Sequence, residues 1–464
     1  MKNLFVKLLC ELQKAAQTKN DGQTMDTSVE ELKVGMLPPE QHVGHAIATT
    51  ATVTATRTTM IAITDTETKS KQSYDQFFKW TNWAKNQTCR PSSIIQPRTM
   101  QDTIDIVQSA KAEQKKIRCV AGGYTWSSAS IVPENGILVF VDKMARIFAP
   151  VYVEGLGWTV ELENGVTVEA LDEFLRRHDP PLAMPSNIVM ETHGSATHSR
   201  TLSDLACEVK IVDANGNLNT FTYEKDPAEF SAAACNLGLL GVIYSYTLQV
   251  EPMFRLTVVF HGHYSRKGNR LGTGRERDRI WVKQWRRTDQ PLTGSTAWKS
   301  IRVVRQYLSC FIGGILLKTM VATPRTTPLI NCGISKVSKG VISKVLEAPD
   351  AIHYQHNIQD MVCVGTEFVF KVDEGFERPS KAWRFAIDKI YEHAAHGKYP
   401  VNMIMDMRFI KASDQIMLYA YDKDPEAVFC TIEVLSAANT KGFEKFTAML
   451  AEHFISEYQA RQGS

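Results

Sequence analysis

Residues 117–128 read IRCVAGGYTWSS: an apolar, β-prone run meets Gly122-Gly123 and then a cluster of small, hydroxyl-bearing and aromatic side chains. A glycine pair at the end of a strand removes the Cβ atoms that hold a backbone away from a bound group. It also admits positive φ and lets successive N–H groups face one anion. The elements upstream give this loop its frame. SIIQP (93–97) reads as a short strand, and Thr99 forms a capping box with Asp102. Met100, Ile104, Val107 and Lys111 then share one face of a helix, and the strand 117–120 completes the order β, α, β.

The pattern continues. GILVFVDKM, from Gly136, is a further strand. WTVELENGVTVEALDEFLRRH gives a strand, an Asn164-Gly165 turn and a helix from about Thr167 to His178. VKIVDA and NLNTFTY flank Asn215-Gly216, a hairpin signal, and GLLGVIYSYTLQVEP closes the region with a long β run. Strands alternating with single helices predict an α+β domain over residues 74–252. A second domain follows over residues 253–464, in which TEFVFKVDE, a helix from about Ser380 to His393, YPVNMIMDMRFIKA and AVFCTIEVLSA alternate sheet and helix.

Three stretches are read differently. Residues 1–73 form a leader: MKNLFVKLLCELQKAAQ spaces Leu4, Leu8, Leu9 and Leu12 as an amphipathic helix without a secretory cleavage site, and a polar, Thr-rich and poorly ordered segment follows. This predicts an intracellular protein, cytoplasmic or in peripheral contact with a membrane. The apolar run from Cys310 to Ala322 is too short for a bilayer span, carries Lys318 and reads as a buried helix. Between residues 266 and 305, basic side chains interleave with Trp281, Trp285 and Trp298. That composition suits single-stranded nucleic acid or, more blandly, a solvated helix and loop with core tryptophans. The net charge of +3 gives no general case for nucleic acid, and none is expected as a partner.

The chemistry narrows by exclusion. Nine scattered cysteines without a CxxC pair read as free thiols in a reducing compartment. The pairs His193/His198, His261/His263 and His353/His356 lack convergent further ligands, so no metal site is expected. Gly-x-Ser-x-Gly, Walker and His-Glu-x-x-His patterns are absent from the sequence. What remains is a set of small-residue loops: 121–127, then THGSATHS from Thr192 to Ser199, then NLGLLGVI from Asn236 to Ile243. Taken together they suit a large dinucleotide cofactor, with one loop for a pyrophosphate and another beside a ring system.

In this order the motifs resemble the FAD-binding domain of the vanillyl-alcohol-oxidase superfamily (PCMH type), and in particular the gulonolactone and arabinonolactone oxidases. VAGGYTWSS is similar to the family's V-x-G-x-G-H-S loop, and Gly194, Ser195, Ala196, Thr197 and His198 to its G-S/T-G-T-H loop. Gly238, Leu239, Leu240, Gly241, Val242 and Ile243 resemble its G-x-L-G-I/V-I segment. The resemblance implies a two-subdomain FAD-binding domain followed by an α/β substrate-binding domain. It implies cofactor contacts from Ala121, Gly122, Gly123, Tyr124, Thr125, Trp126 and Ser127. Further contacts are implied from Asn187, His193, Gly194, Ser195, Ala196, Thr197, His198, Gly241, Val242 and Ile243. More weakly, the last third resembles the family's substrate domain, where Asp406 and Arg408 stand at its E-x-R pair.

The implied activity is FAD-dependent oxidation of a CH–OH group of a sugar lactone, with dioxygen or another acceptor. Arg408 would stabilise the developing oxyanion, and Asp406 would orient the substrate. Three departures qualify this. Tyr124 replaces the histidine that many relatives join to the flavin, which predicts non-covalent FAD with the Tyr124 ring or hydroxyl packed against it. Asp406 replaces glutamate and draws the carboxylate back by about one methylene. Relatives continue past a segment like FISEYQAR into a P-H-W-A/G-K motif, whereas this sequence reads Arg461 to Ser464. A biosynthetic FAD-linked oxidoreductase with a non-sugar substrate, or a catalytically impaired flavin-binding protein, are the alternatives.

Overall fold

The structure, a computed structural model, describes residues 45–46, 79–185, 201–264, 279–293, 296–337, 341–352 and 361–463. The leader helix expected at the N-terminus and most of the Thr-rich segment lie outside the described residues. In chain order, β1 (His45–Ala46) pairs with a later strand, and β2 (Trp80–Thr81) and β3 (Thr88–Cys89) make a short hairpin. β4 (Ser93–Ile95) then leads to Thr99, whose hydroxyl accepts the Asp102 N–H at 3.1 Å while the Asp102 carboxylate accepts the Thr99 N–H at 3.1 Å. This reciprocal cap satisfies donors left open at a helix start and sets off α1 (Met100–Ala112). β5 (Ile117–Val120) and β6 (Ile137–Phe140) complete a parallel sheet in the order β4-β6-β5.

A second, antiparallel sheet follows: β7 (Val151–Val153), β8 (Gly157–Glu163), α2 (Val168–Arg176), β9 (Leu182–Ala183), β10 (Ala206–Val212), β11 (Leu218–Thr222), α3 (Pro227–Ala233) and β12 (Val242–Pro252), with strand order β11-β10-β12-β8-β7. The β10–β11 turn is built on Asp213, whose carboxylate accepts the N–H groups of Asn215 and Asn217 at 2.8 and 2.9 Å. Leu171 and Leu175 of α2 pack with Val209 and Ile211 of β10 in one core, and α1 is held between the two sheets. Its Ile106 and Ala110 meet Ile137 and Val139 of the parallel sheet, and Val107 meets Val212 and Val242 of the antiparallel one. A single helix therefore fixes the spacing of the two halves.

The rest of the chain forms two further antiparallel sheets with helices. β13 (Arg255–Tyr264), β14 (Arg279–Arg287), α4 (Thr296–Ala322), α5 (Thr327–Val337), β15 (Val341–Glu347) and α6 (Ala348–Ile352) come first, with strand order β1-β14-β13-β15. β16 (Cys363–Lys371), α7 (Glu377–Ala395), β17 (Met405–Lys411), β18 (Val428–Ala437), α8 (Phe443–Tyr458) and β19 (Arg461–Gly463) form the last, in the order β17-β18-β16-β19. One face of this sheet, carrying Phe368, Phe370, Met407 and Ile432, packs on Ala382, Phe446 and Phe454 of α7 and α8. Burying such side chains contributes roughly 1.5–3 kcal/mol each. The Phe368 and Phe454 rings meet edge to face at 5.2 Å.

Two readings of the sequence are corrected here. The basic stretch expected to be helix and loop contains the strand β14, registered against β13 with Val258 opposite Trp285. Its density of charge hides the strand. The apolar run from Cys310 is the end of the long helix α4, and only one side of it is covered. Cys310, Leu317 and Met320 are buried, whereas Leu308, Phe311 and Ile315 are exposed.

Candidate functional site

Beyond Val120, Gly123 turns into positive φ (+69°), and an added Cβ at Gly122 would lie 2.2 Å from the Tyr124 ring, which folds back across it. The Tyr124 ring centroid is 5.8 Å from that of Trp83. The β2–β3 hairpin grips the loop by its carbonyls. The Trp83 N–H donates to Gly123 O at 2.9 Å, the Asn82 side chain to Thr125 O at 2.8 Å, and the Asn86 and Gln87 side chains to Trp126 O at 2.9 and 3.1 Å. Because a trans peptide points its N–H opposite its carbonyl, the Tyr124 and Trp126 N–H groups point away from the hairpin. The Thr125 and Ser127 hydroxyls bond to each other at 2.9 Å. Sequence reasoning missed this amide clamp, although NWAKNQ before a Cys-Arg-Pro turn is dense in side-chain donors.

A cleft of about 840 Å³ opens at the carboxyl ends of the parallel strands, between the two sheets. That is where open sheets with helical crossovers take ligands, and the volume is in the range of small-molecule sites. Its lining includes Ala121, Thr125, Gly241, Val242 and Ile243 of the expected set, with Arg118 adding positive charge. Gly241 has φ +141°, and a Cβ there would stand 2.2 Å from Val212 O, so the backbone is brought close in a way open only to glycine. These residues fit a dinucleotide: the Gly238–Gly241 turn and the flanks of the Gly122-Gly123 loop, Ala121 and Thr125, line one cationic, mostly apolar cleft. Asn187 and the segment His193, Gly194, Ser195, Ala196, Thr197 and His198 lie outside the described residues.

Asp406 and Arg408 stand on β17, where Arg408 Nη2 donates to Asp406 Oδ2 at 2.7 Å and to Glu433 Oε2 on β18 at 2.9 Å. Asp406 is 0% and Arg408 3% exposed. Register places Asp406 opposite Glu433, and Glu433 opposite Glu367 on β16, so three carboxylates form one row across the sheet. Residues directly opposite share a face, and alternate residues on a strand do too. Gly365, Glu367, Glu433, Asp406 and Arg408 therefore share the face turned away from α7 and α8. Tyr419 lies within the electrostatic reach of this row. Burial first, and then the charge of Glu367, push its hydroxyl well above the usual tyrosine range, with Arg408 opposing, so it stays protonated. Glu433, Glu367 and Tyr419 were missed. The signal for the first two was a lone carboxylate inside each of the apolar strands FCTIEVLSA and CVGTEFVF.

The loop and the row meet through Trp126. Its indole N–H donates to Cys363 O at 3.0 Å, and its ring occupies the space over Gly365, where a Cβ would lie 2.4 Å away. Gly365 is two residues from Glu367, so the ring rests on the face that carries Arg408. A second joint is made lower down: Ser413 Oγ donates to Asp204 Oδ1 at 2.5 Å, and Ser231 Oγ donates to Asp414 O at 2.6 Å. Among the described residues no group of His, Cys, Asp and Glu could hold a metal ion, and no helix is long and apolar enough to cross a membrane.

Residues 91–222 match the FAD-binding domain family. Those residues therefore carry an FAD-binding domain, in line with the motifs' resemblance to the vanillyl-alcohol-oxidase superfamily. The chain is similar to the L-gulono-1,4-lactone dehydrogenase of Mycobacterium tuberculosis, 22% identical over 410 residues, covering 82% of this chain and 88% of the relative. It is also similar to the D-arabinono-1,4-lactone oxidase of Candida glabrata, 23% identical over 358 residues, covering 71% and 66%. Among solved structures, the cholesterol oxidase from B. sterolicum superposes with a TM-score of 0.62 at 17% identity, covering 83% of this chain and 85% of that one. That likeness shows a shared fold.

Proposed function

We propose that the protein oxidises a CH–OH group of a sugar lactone, such as an arabinono- or gulonolactone, with dioxygen as the electron acceptor and FAD held without a covalent bond. In this reading Ala121–Ser127, Asn187, His193–His198 and Gly241–Ile243 hold the cofactor, Asp406 and Arg408 act on the substrate, and the cofactor and substrate domains divide near residue 252. The observation that carries it is Trp126, which ties the glycine loop beside the cleft to the sheet face bearing Arg408.

FAD, when bound, would supply the acceptor for the hydride that leaves the substrate carbon and carries both electrons. The chain's own part is electrostatic. Oxidation to the carbonyl requires loss of the hydroxyl proton, and the Arg408 guanidinium favours the developing alkoxide in a site from which water is largely excluded. Asp406 and Glu433 hold that guanidinium from two strands, which fixes its plane. Tyr419, kept protonated, is a donor and not a base.

The test is the absorbance spectrum of purified protein before and after acid precipitation, followed by addition of each lactone. Yellow protein that releases its flavin into the acid supernatant, and bleaches with a lactone while peroxide forms, is the expected result. Colourless protein that gains no flavin absorbance on adding FAD sinks the proposal. The shorter carboxylate of Asp406 favours a second reading, a non-sugar alcohol as substrate. Flavin bleached by a simple alcohol or phenol and by neither lactone selects it.

A further inference from the structure

We propose that the helix pair α4 and α5 is a docking surface for an anionic membrane, entered by its apolar side chains without spanning the bilayer. Leu308, Phe311 and Ile315 follow the i, i+3, i+7 spacing that places them on one side of α4, and they are 47, 59 and 49% exposed. On α5, joined through the short turn Pro324–Thr326, Leu329 is 64% exposed. The opposite side of α4 is already used: Leu317 and Met320 pack with Ala437. The outward side chains are thus large, apolar and not required by the core, a feature that marks interaction surfaces when it is contiguous along an element.

Charge identifies the occupant. Across residues 290–346, which contain both helices, Lys and Arg stand at eight positions and Asp and Glu at none, in a chain whose net charge is only +3. Lys318, next along α4 from the apolar positions, is exposed. Apolar side chains on one side of a helix, in a stretch of sequence whose charged residues are all cationic, are the composition of an interfacial helix, where anionic headgroups answer the lysines and arginines while Leu and Phe enter the acyl boundary. A second copy of this chain would meet the same positive field and be repelled. The surface belongs to the part of the chain carrying Arg408, and none of its residues lines the cleft.

Co-sedimentation of the full chain with phosphatidylcholine vesicles, with and without phosphatidylserine, tests this. Binding to the anionic vesicles that weakens with added salt is expected. The L308S/F311S/I315S variant should bind at least about tenfold more weakly, with its melting temperature unchanged. Lys318→Glu keeps the apolar side chains and should weaken binding to the anionic vesicles alone. Failure of the wild type to sediment with anionic vesicles overturns the proposal. So does equal binding by the triple variant, which would locate the contact elsewhere in the chain. A dimer in the wild type that the triple variant loses, without vesicle binding by either, would assign the surface to a second copy and reject it as well.

Discussion

At the scale of single residues the decisive group is Arg408, enclosed by Asp406 and Glu433 at 2.7 and 2.9 Å. Both bonds leave one nitrogen, Nη2, so lysine keeps the charge and the donors but offers them from a shorter, tetrahedral group without the guanidinium plane. Arg408→Lys should therefore lower kcat by about a hundredfold or more while bound flavin absorbance persists. Glu433→Gln tests the second arm: stopped-flow flavin reduction should slow with little change in KM, because what is lost is the aim of the guanidinium. A different residue reports on pH. Burial pushes the Glu163 carboxyl up, but the Arg146 guanidinium, the Arg146 N–H and the Tyr244 hydroxyl more than offset it, leaving the group below its ordinary 4.5. Its stabilising effect is thus fully present above that value and fades as pH falls through the lower folded one. Thermal midpoints of wild type and Glu163→Gln should differ at neutral pH and converge in acid; a gap that widens in acid would contradict the assignment. Arg408 could be found in the sequence by likeness to a family pair, whereas Glu433 could not. Its partnership depends on register across two strands, and no local pattern encodes that.

Among the elements, close approach is enforced by glycine at two points. At Gly365 an added methyl would lie 2.4 Å from the Trp126 ring and 2.7 Å from Leu435 Cδ2, so Gly365→Ala must push the indole off the sheet. A destabilisation of about 1–3 kcal/mol is expected from overpacking, read by denaturant titration. Activity should fall further than stability, since the ring ties the loop to the Arg408 face. Trp126→Phe keeps much of the ring and removes only the donor to Cys363 O, so it should retain more activity than Gly365→Ala; the reverse order would show that the indole hydrogen bond and not the stacking sets the loop. The elements themselves were legible where one period governs them. The Thr99 cap, the helix after it, the Ile117–Val120 strand and the Asn215-Gly216 turn all stand where local chemistry put them. β14 was not, because arginines and lysines crowd a strand whose apolar Ile280, Trp281, Val282 and Trp285 follow no single period. The run Cys310–Ala322 within α4 reads as a buried helix, being apolar but too short for a bilayer span, and only tertiary packing decides which side of it is covered.

For the molecule as a whole, the cleft and Arg408 belong to different parts of the chain, and the joints between those parts decide whether they act together. The cleft is lined entirely by residues between Val107 and Leu248, so its affinity for FAD is set within the first part. Arg408 is carried by the second. Asp204 bridges them: its Oδ2 accepts the Thr201 N–H and hydroxyl, both at 2.7 Å, and its Oδ1 accepts the Ser413 hydroxyl at 2.5 Å. Asp204 is not itself a cleft-lining residue, so replacing it by alanine removes the acceptor from the joint without taking a side chain from the cleft. The expected signature of Asp204→Ala is a split between two readouts. FAD affinity should stay within about threefold of wild type, while kcat/KM falls by about tenfold or more, because a displacement of the order of 1 Å between reacting groups is costly even when every group is present. The contact between Ser231 and the Asp414 carbonyl remains in that variant and should keep the parts associated, so limited proteolysis ought to give a pattern close to wild type. If flavin affinity and turnover fell in parallel instead, the two parts would have to be regarded as one cooperative cofactor site, and Arg408 would be positioned by the cofactor itself and not by the joint.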